Sequence, residues 1–162
     1  MSPEVTTTSA PFMTSEQMLA HWLGHRRLTR RMIEAFPEDK LFTFSIGGMR
    51  PFGVLALEML GMAAPSLQGF VTGEWTEYAE AAATSRDELL ERWDEATRLI
   101  DELWPQLPPE LFQETKTAFG VYTSRVYDLI LYPVDNEIHH RGQGYVYLRA
   151  LGIEPPPFYV RD

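Results

Sequence analysis

Along most of this chain, residues suited to a protein interior recur at alternating intervals of three and four, as on one face of an α-helix, and no segment reads as a convincing strand. Met18, Trp22, His25, Thr29, Met32 and Phe36 form the first stripe. Thr14 followed by Gln17 has the form of a capping box at its start, and Pro37 ends it. A second helix follows Pro51, a residue suited to a first turn, and runs through Phe52, Val54, Leu55, Ala56, Leu57, Met59, Leu60 and Met62. It is apolar nearly all round and should lie deep, with Pro65 as its limit. Ser85 and Glu88 open the third helix, whose core stripe is Leu89, Trp93, Ala96, Ile100 and Leu103 before a run of prolines. The fourth is expected from about Val121 to Leu151, with a kink or break at Pro133 and a stop at Gly152.

These four elements predict an all-α fold, a four-helix bundle in one domain over residues 14–162, preceded by a flexible arm over residues 1–13. The stretch from Pro65 to Ser85 is long for a bundle loop. It is long enough to cross the bundle and leave the second and third helices parallel, with Trp75 and Tyr78 as anchors. The tail from Glu154 to Phe158, with three consecutive prolines, is expected to run extended along the bundle end.

Composition narrows the chemistry. The 162 residues include no cysteine, which excludes disulfides, thiolate metal sites and a cysteine nucleophile. The formal net charge is −9, the wrong sign for a protein that neutralises phosphates along nucleic acid. Its basic cluster, Arg26, Arg27, Arg30 and Arg31, reads as a solvated helix face. The best apolar stretch, Phe52 to Leu67, is interrupted by Glu58, so no membrane span is expected. The first residues lack the basic flank and apolar core of a secretory signal, so the cytoplasm is the expected compartment.

Two anomalies mark the candidate site. Glu58 is the only ionisable residue between Phe52 and Leu67. Placing a carboxylate in an apolar helix costs several kcal/mol unless it meets a metal, a cation, a proton or a cleft. An arginine partner such as Arg50 or Arg141 satisfies it as well as a metal does. The second anomaly is the segment Asp135 to Gln143. Asn136 and His140 stand one turn apart and point the same way, as do Gln143 and Tyr147, and a metal can be held when a third ligand comes from another helix. Gly142 and Gly144, each costing about 1 kcal/mol in a helix interior, imply close approach of a neighbour or ligand. His21 and His25 form another i, i+4 pair. His25 is read first as a hydrogen-bonded core histidine; the rival reading makes the two histidines a ligand pair or puts one of them at the rim of the site.

The string His139-His140-Arg141-Gly142-Gln143-Gly144-Tyr145-Val146-Tyr147-Leu148-Arg149, continuing through Leu151-Gly152-Ile153-Glu154-Pro155-Pro156, resembles the final helix of the DinB-like (YfiT-like) family of damage-inducible helical proteins. Met49-Arg50-Pro51-Phe52-Gly53 resembles the start of that family's second helix, and the likeness extends from Glu16 to Phe158. The resemblance implies a four-helix bundle, a homodimer and a divalent metal held by three histidines. Carried onto this chain, the three positions are Glu58, Asn136 and His140, of which only His140 keeps the histidine. Such a set, if metal-loaded, is expected to take Zn or Ni less tightly than three histidines would and to lean toward Mn or Fe; the equal alternative is a metal-free site with Glu58 hydrogen-bonded to Asn136 and His140. His139, Tyr147, Gln143 and His25 are candidates for the surrounding shell. The implied function is a metal-dependent enzyme, a hydrolase or a transferase of a thiol to a small electrophile. The alternative is a non-catalytic, stress-related small-ligand-binding or interaction protein whose metal site has degenerated.

Overall fold

The structure is a computed structural model, described here for residues 11–75 and 82–162. Among these residues, five α-helices and one two-stranded sheet follow in order: α1 Ser15–Ala35, α2 Glu38–Leu41, α3 Phe52–Thr72, α4 Arg86–Leu103, β1 Thr115–Ala118, β2 Tyr122–Arg125 and α5 Val126–Ala150. The four long helices make a mostly helical protein in which α1 and α3 each pack against both α4 and α5. Two short 3₁₀ turns, Trp104–Gln106 and Pro109–Gln113, carry the chain from α4 to the sheet.

The helix starts follow local chemistry. The Thr14 hydroxyl accepts from the Gln17 N–H at 3.2 Å, and the Gln17 side chain accepts from the Thr14 N–H at 2.9 Å, closing the expected capping box. At α4 only half of the box forms. The Ser85 hydroxyl accepts from the Glu88 N–H, but the Glu88 carboxylate reaches past Ser85 to the Thr84 N–H at 2.8 Å. The core is built on Trp22 and Met32 of α1 and Phe36 just after it, Phe52, Leu55 and Met59 of α3, Trp93 and Ile100 of α4, and Ile130, Val134 and Tyr147 of α5.

Several expectations need correction. Helix α3 does not stop at Pro65 but continues to Thr72, where Gly73 ends it in the left-handed conformation. A proline inside a helix costs about 3 kcal/mol. Burial of Ser66, Leu67 and Gly69 beyond it, with the Trp75 ring lying against Gly69, offsets that cost. The connection to α4 accordingly shrinks to Gly73–Ser85. Trp75 does anchor it, edge-on to Phe70 and Phe119 at 5.0 Å each. Tyr78 lies outside the described residues, as does most of the N-terminal arm.

The segment before α5 is a β-hairpin rather than its first turn. Thr115 pairs with Arg125 and Ala118 with Tyr122 in antiparallel register. Phe119 and Gly120, at the turn, both have positive φ, as a tight I′-type hairpin requires. Helix α5 then starts at Val126 and is not broken at Pro133, which is buried within it. It ends where expected, with Gly152 at positive φ and the Ile153 N–H bonded to the Leu148 carbonyl.

Lengthened to Thr72, α3 is also long and apolar enough to cross a membrane by length and composition. Its most apolar stretch is 56% buried against the other helices, as in the core helix of a folded domain.

Candidate functional site

Glu58 sits on the half-buried side of α3, facing α5. Its Oε1 lies 3.1 Å from His140 Nε2 and accepts from the Asn136 side-chain amide at 3.3 Å. Its Oε2 pairs with Arg50 Nη1 at 2.5 Å. The three residues singled out from burial and spacing are thus brought together. Arg50, one of the two alternative partners named for Glu58, joins them, while Arg141 turns to the other side of α5.

Hydrogen bonding around His140 restricts its state. Its Nδ1 lies 2.8 Å from Gln143 Oε1, whose amide nitrogen points to Met49 Sδ at 3.5 Å. With the amide oriented so, Nδ1 carries a proton and donates it. Nε2 then turns toward the Glu58 carboxylate, and a lone pair cannot face a carboxylate oxygen at 3.1 Å without a proton or a cation between them. Asn136 adds a second open valence, because its Oδ1 is buried with no hydrogen-bond partner. Burial pushes the Glu58 carboxyl up, but hydrogen bonds from Arg50, His140 and Asn136 outweigh it and hold the carboxyl below its ordinary value.

The donor set fits a divalent cation in part. Donors about 2.1 Å from an ion in a tetrahedral or octahedral shell lie roughly 3.0–3.4 Å from one another. The His140 Nε2–Glu58 Oε1 separation of 3.1 Å falls in that range, whereas the 3.3 Å contact of Asn136 runs through its amide nitrogen, which is not a metal donor. Against this, Arg50 already holds one oxygen of the carboxylate. Among the described residues no three His, Cys, Asp or Glu side chains converge, so the third donor has to be the Asn136 amide oxygen.

Arg50 and Glu58 line one part of a cleft of about 1180 Å³. Its walls are Leu57 and Met62 of α3, Trp75 of the connection, Phe119 and Tyr122 of the hairpin, and Tyr132 of α5. A polar cluster beside a mostly apolar cleft is the usual form of a small-molecule site. The hairpin wall escaped the sequence reading. The signal was there: β-branched residues alternating on either side of Phe119-Gly120.

The remaining candidates divide. Gln143 touches His140 directly, and the exposed His139 ring meets the His140 ring edge-on at 5.0 Å. Tyr147 is buried and donates its hydroxyl to the Arg50 carbonyl at 3.0 Å, steadying the residue that pairs with Glu58. His25 belongs to a different network on the α1 side of α5, with Arg141, Arg161 and His21 as its polar neighbours.

That second network also corrects the reading of the basic cluster as a solvated face. Arg26 is 1% exposed. It packs over the Trp93 ring at 3.5 Å, donates to the Trp93 carbonyl, and stands 3.6 Å from buried Glu137. Arg30 pairs with Asp94, whereas Arg27 and Arg31 donate to backbone carbonyls of Val160, Arg161 and Asp162. The helical stripe was wider than the pattern implied, and a guanidinium stacked on a tryptophan enters a core that a lysine would not.

Comparison with known proteins agrees with this architecture. The DinB family matches over residues 1–162. The chain belongs to the DinB family. A DinB-like protein from Bacillus cereus ATCC 10987 superposes with a TM-score of 0.75 at 18% identity, covering 92% of this chain and 100% of the other. The DinB-like protein YjoA of Bacillus subtilis gives 0.72 at 23% identity, with 90% and 99% covered. At these identities the likeness speaks for the DinB fold alone. No curated protein matches the chain.

Proposed function

We propose that this DinB-family protein is a cytoplasmic four-helix-bundle homodimer that holds a divalent cation between Glu58, Asn136 and His140 and acts on a small molecule in the adjoining cleft. The observation that carries the reading is the mismatch at His140. Gln143 fixes the proton on Nδ1, which leaves Nε2 turned to a carboxylate with no protein donor between them. The orphaned Asn136 Oδ1 beside it adds to the same conclusion.

A bound divalent ion supplies a Lewis acid at this position. The protein's own residues do the rest. Gln143 orients the His140 ring, and Arg50 keeps Glu58 ionised. Trp75, Phe119, Tyr122 and Tyr132 give the cleft an apolar wall for the body of a small electrophile. The reaction class that the resemblance to DinB-like proteins suggests is transfer of an external thiol to such an electrophile, with which the lack of a cysteine in this chain is compatible.

A second reading rests on Arg50. Its 2.5 Å contact with Glu58 satisfies the carboxylate without a metal. With His140 protonated on both nitrogens, the cluster becomes an Arg50–Glu58–His140 ion-pair chain in a non-catalytic ligand-binding protein. Elemental analysis of purified, untagged protein separates the two. About one metal per chain, lost in His140→Ala, supports the first reading. Absence of metal after incubation with Mn, Fe, Ni and Zn in turn overturns it and leaves the second.

A further inference from the structure

His25 lies between more donors than it can serve. Its Nδ1 is 2.8 Å from Arg141 Nη2. Its Nε2 is 2.9 Å from Arg161 Nη1 and 3.2 Å from His21 Nε2. A neutral imidazole offers one acceptor nitrogen, and a guanidinium offers none. If Nδ1 accepts from Arg141, the proton on Nε2 can go to His21, but Arg161 then points at an N–H. If Nε2 accepts from Arg161, the proton on Nδ1 opposes Arg141. In the first tautomer Arg161 has no acceptor at His25; in the second Arg141 Nη2 has none, although Arg141 Nη1 still donates to Thr29 Oγ1 at 3.1 Å and the His25 carbonyl at 3.4 Å. Protonating the ring makes both contacts worse, and burial together with Arg141, His21 and Arg161 holds the His25 pKa down at about 3.

No carboxylate among the described residues relieves this. Glu137, the acid of the network, accepts from Thr29 at 2.6 Å and pairs with Arg26 and Arg141 rather than with Arg161. The tail meanwhile is held so as to keep Arg161 in place. Arg27 Nε donates to the Arg161 carbonyl at 3.0 Å, Arg31 donates to Val160 and Asp162, and Gly24 leaves room for the Arg161 backbone. A Cβ at Gly24 would stand 3.3 Å from Arg161 Cβ. Cationic side chains are thus drawn together in a protein of net charge −9, at a place open to solvent through exposed His21 and half-buried Arg161.

We propose that the junction of α1 with the tail, at His21, His25 and Arg161, is a binding site for a small oxyanion of the phosphate class, distinct from the Glu58 cleft. The anion supplies the acceptor that Arg161 lacks, and the proton on His25 Nε2 or His21 becomes a further donor to it. The ligand is either free inorganic phosphate or the phosphate group of a small monoester.

Imidazole NMR signals of His21 and His25, followed during titration with inorganic phosphate and separately with methyl phosphate at constant ionic strength, test this. Expected are saturable shifts of both histidines with a common Kd. Arg161→Gln should weaken that Kd about tenfold or more, equivalent to ~1.4 kcal/mol. Arg98→Gln, on an exposed face of α4, should leave it unchanged. Saturation by both ligands assigns the site to a phosphate group in general, and saturation by the inorganic ion alone restricts it to the free ion. Linear shifts without saturation, or equal affinity in Arg161→Gln, overturn the site. Because Arg161→Gln also loosens the tail, Arg161→Lys is the companion variant. It should retain a weakened site, and complete loss of binding there would show that tail docking rather than charge was measured.

Discussion

Arg26 and Glu137 face each other at 3.6 Å with side chains 0% and 1% exposed, an ion pair between α1 and α5 shut away from water. Burial lowers the Arg26 pKa to about 10 and pushes the Glu137 carboxyl up, so neither ion is comfortable without the other. Removing one partner of such a pair costs ~3–5 kcal/mol. Arg26→Met should fall near the lower end, about 3 kcal/mol, because Arg141 remains 3.8 Å from Glu137. Adding Glu137→Gln should restore part of that loss, since no uncompensated charge then stays buried. Urea unfolding of the two single variants and the double variant measures this, and strictly additive losses would refute the pairing.

Gln143 gives a sharper test of the Glu58 site than any of the three donors, because its side-chain hydrogen bonds among the described residues go to His140 Nδ1 and the Met49 sulfur. Losing the partner that orients a metal-bound histidine typically lowers metal affinity about 10–100-fold. Gln143→Leu should do so here while changing folding stability by only about 1 kcal/mol. Competition against a chromophoric zinc chelator reads the first quantity and denaturant unfolding the second. Unchanged affinity would mean that Nδ1 does not set the ring's state.

His25 predicts a pH dependence. Its folded-state pKa lies near 3, against 6.5 for an ordinary histidine, because burial and the surrounding cations disfavour the charged ring. The unfolded chain therefore binds a proton near pH 6.5 that the folded protein takes up only near pH 3, and acid favours unfolding between those values. His25 contributes stability above that window and loses it as the pH falls through it. Between about pH 7.5 and about pH 5.5, in phosphate-free buffer, the wild type should lose more unfolding free energy than His25→Gln. Equal losses would place the depressed titration elsewhere.

The legible parts of the molecule were those written in local chemistry. The Thr14–Gln17 capping box, the Gly152 stop and the stripes of α1 and α4 follow from neighbours in sequence, and all are present. Glu58, Asn136 and His140 were legible for another reason. A carboxylate in an apolar helix and polar residues one turn apart are improbable unless something answers them, and here they answer one another. What stayed hidden depends on tertiary packing. Pro65 does not end α3, because residues beyond it bury surface that no local pattern reveals. Arg26 looked solvated because its partners, Trp93 and Glu137, come from α4 and α5. The hairpin was missed because four-residue strands give too short an alternation to stand against the helical signal that follows.

Gly142 and Gly144 looked alike in sequence, two helix-interior glycines beside the candidate site, yet the structure separates them. A Cβ on Gly144 would stand 2.6 Å from the Phe52 ring, closer than side-chain carbons pack. Phe52 cannot retreat, being fully buried and stacked on Phe36 at 4.8 Å. Gly144→Ala should therefore overpack the α3–α5 contact and cost roughly 1–3 kcal/mol. A Cβ on Gly142 meets nothing within 4 Å, and that position is exposed. Gly142→Ala should stabilise α5 by about 0.5–1 kcal/mol, through the lower backbone entropy of the unfolded chain and better helix propensity. Thermal unfolding of both variants should thus move in opposite directions. A destabilised Gly142→Ala would mean that a partner or ligand approaches the helix there, in a way the isolated chain does not show.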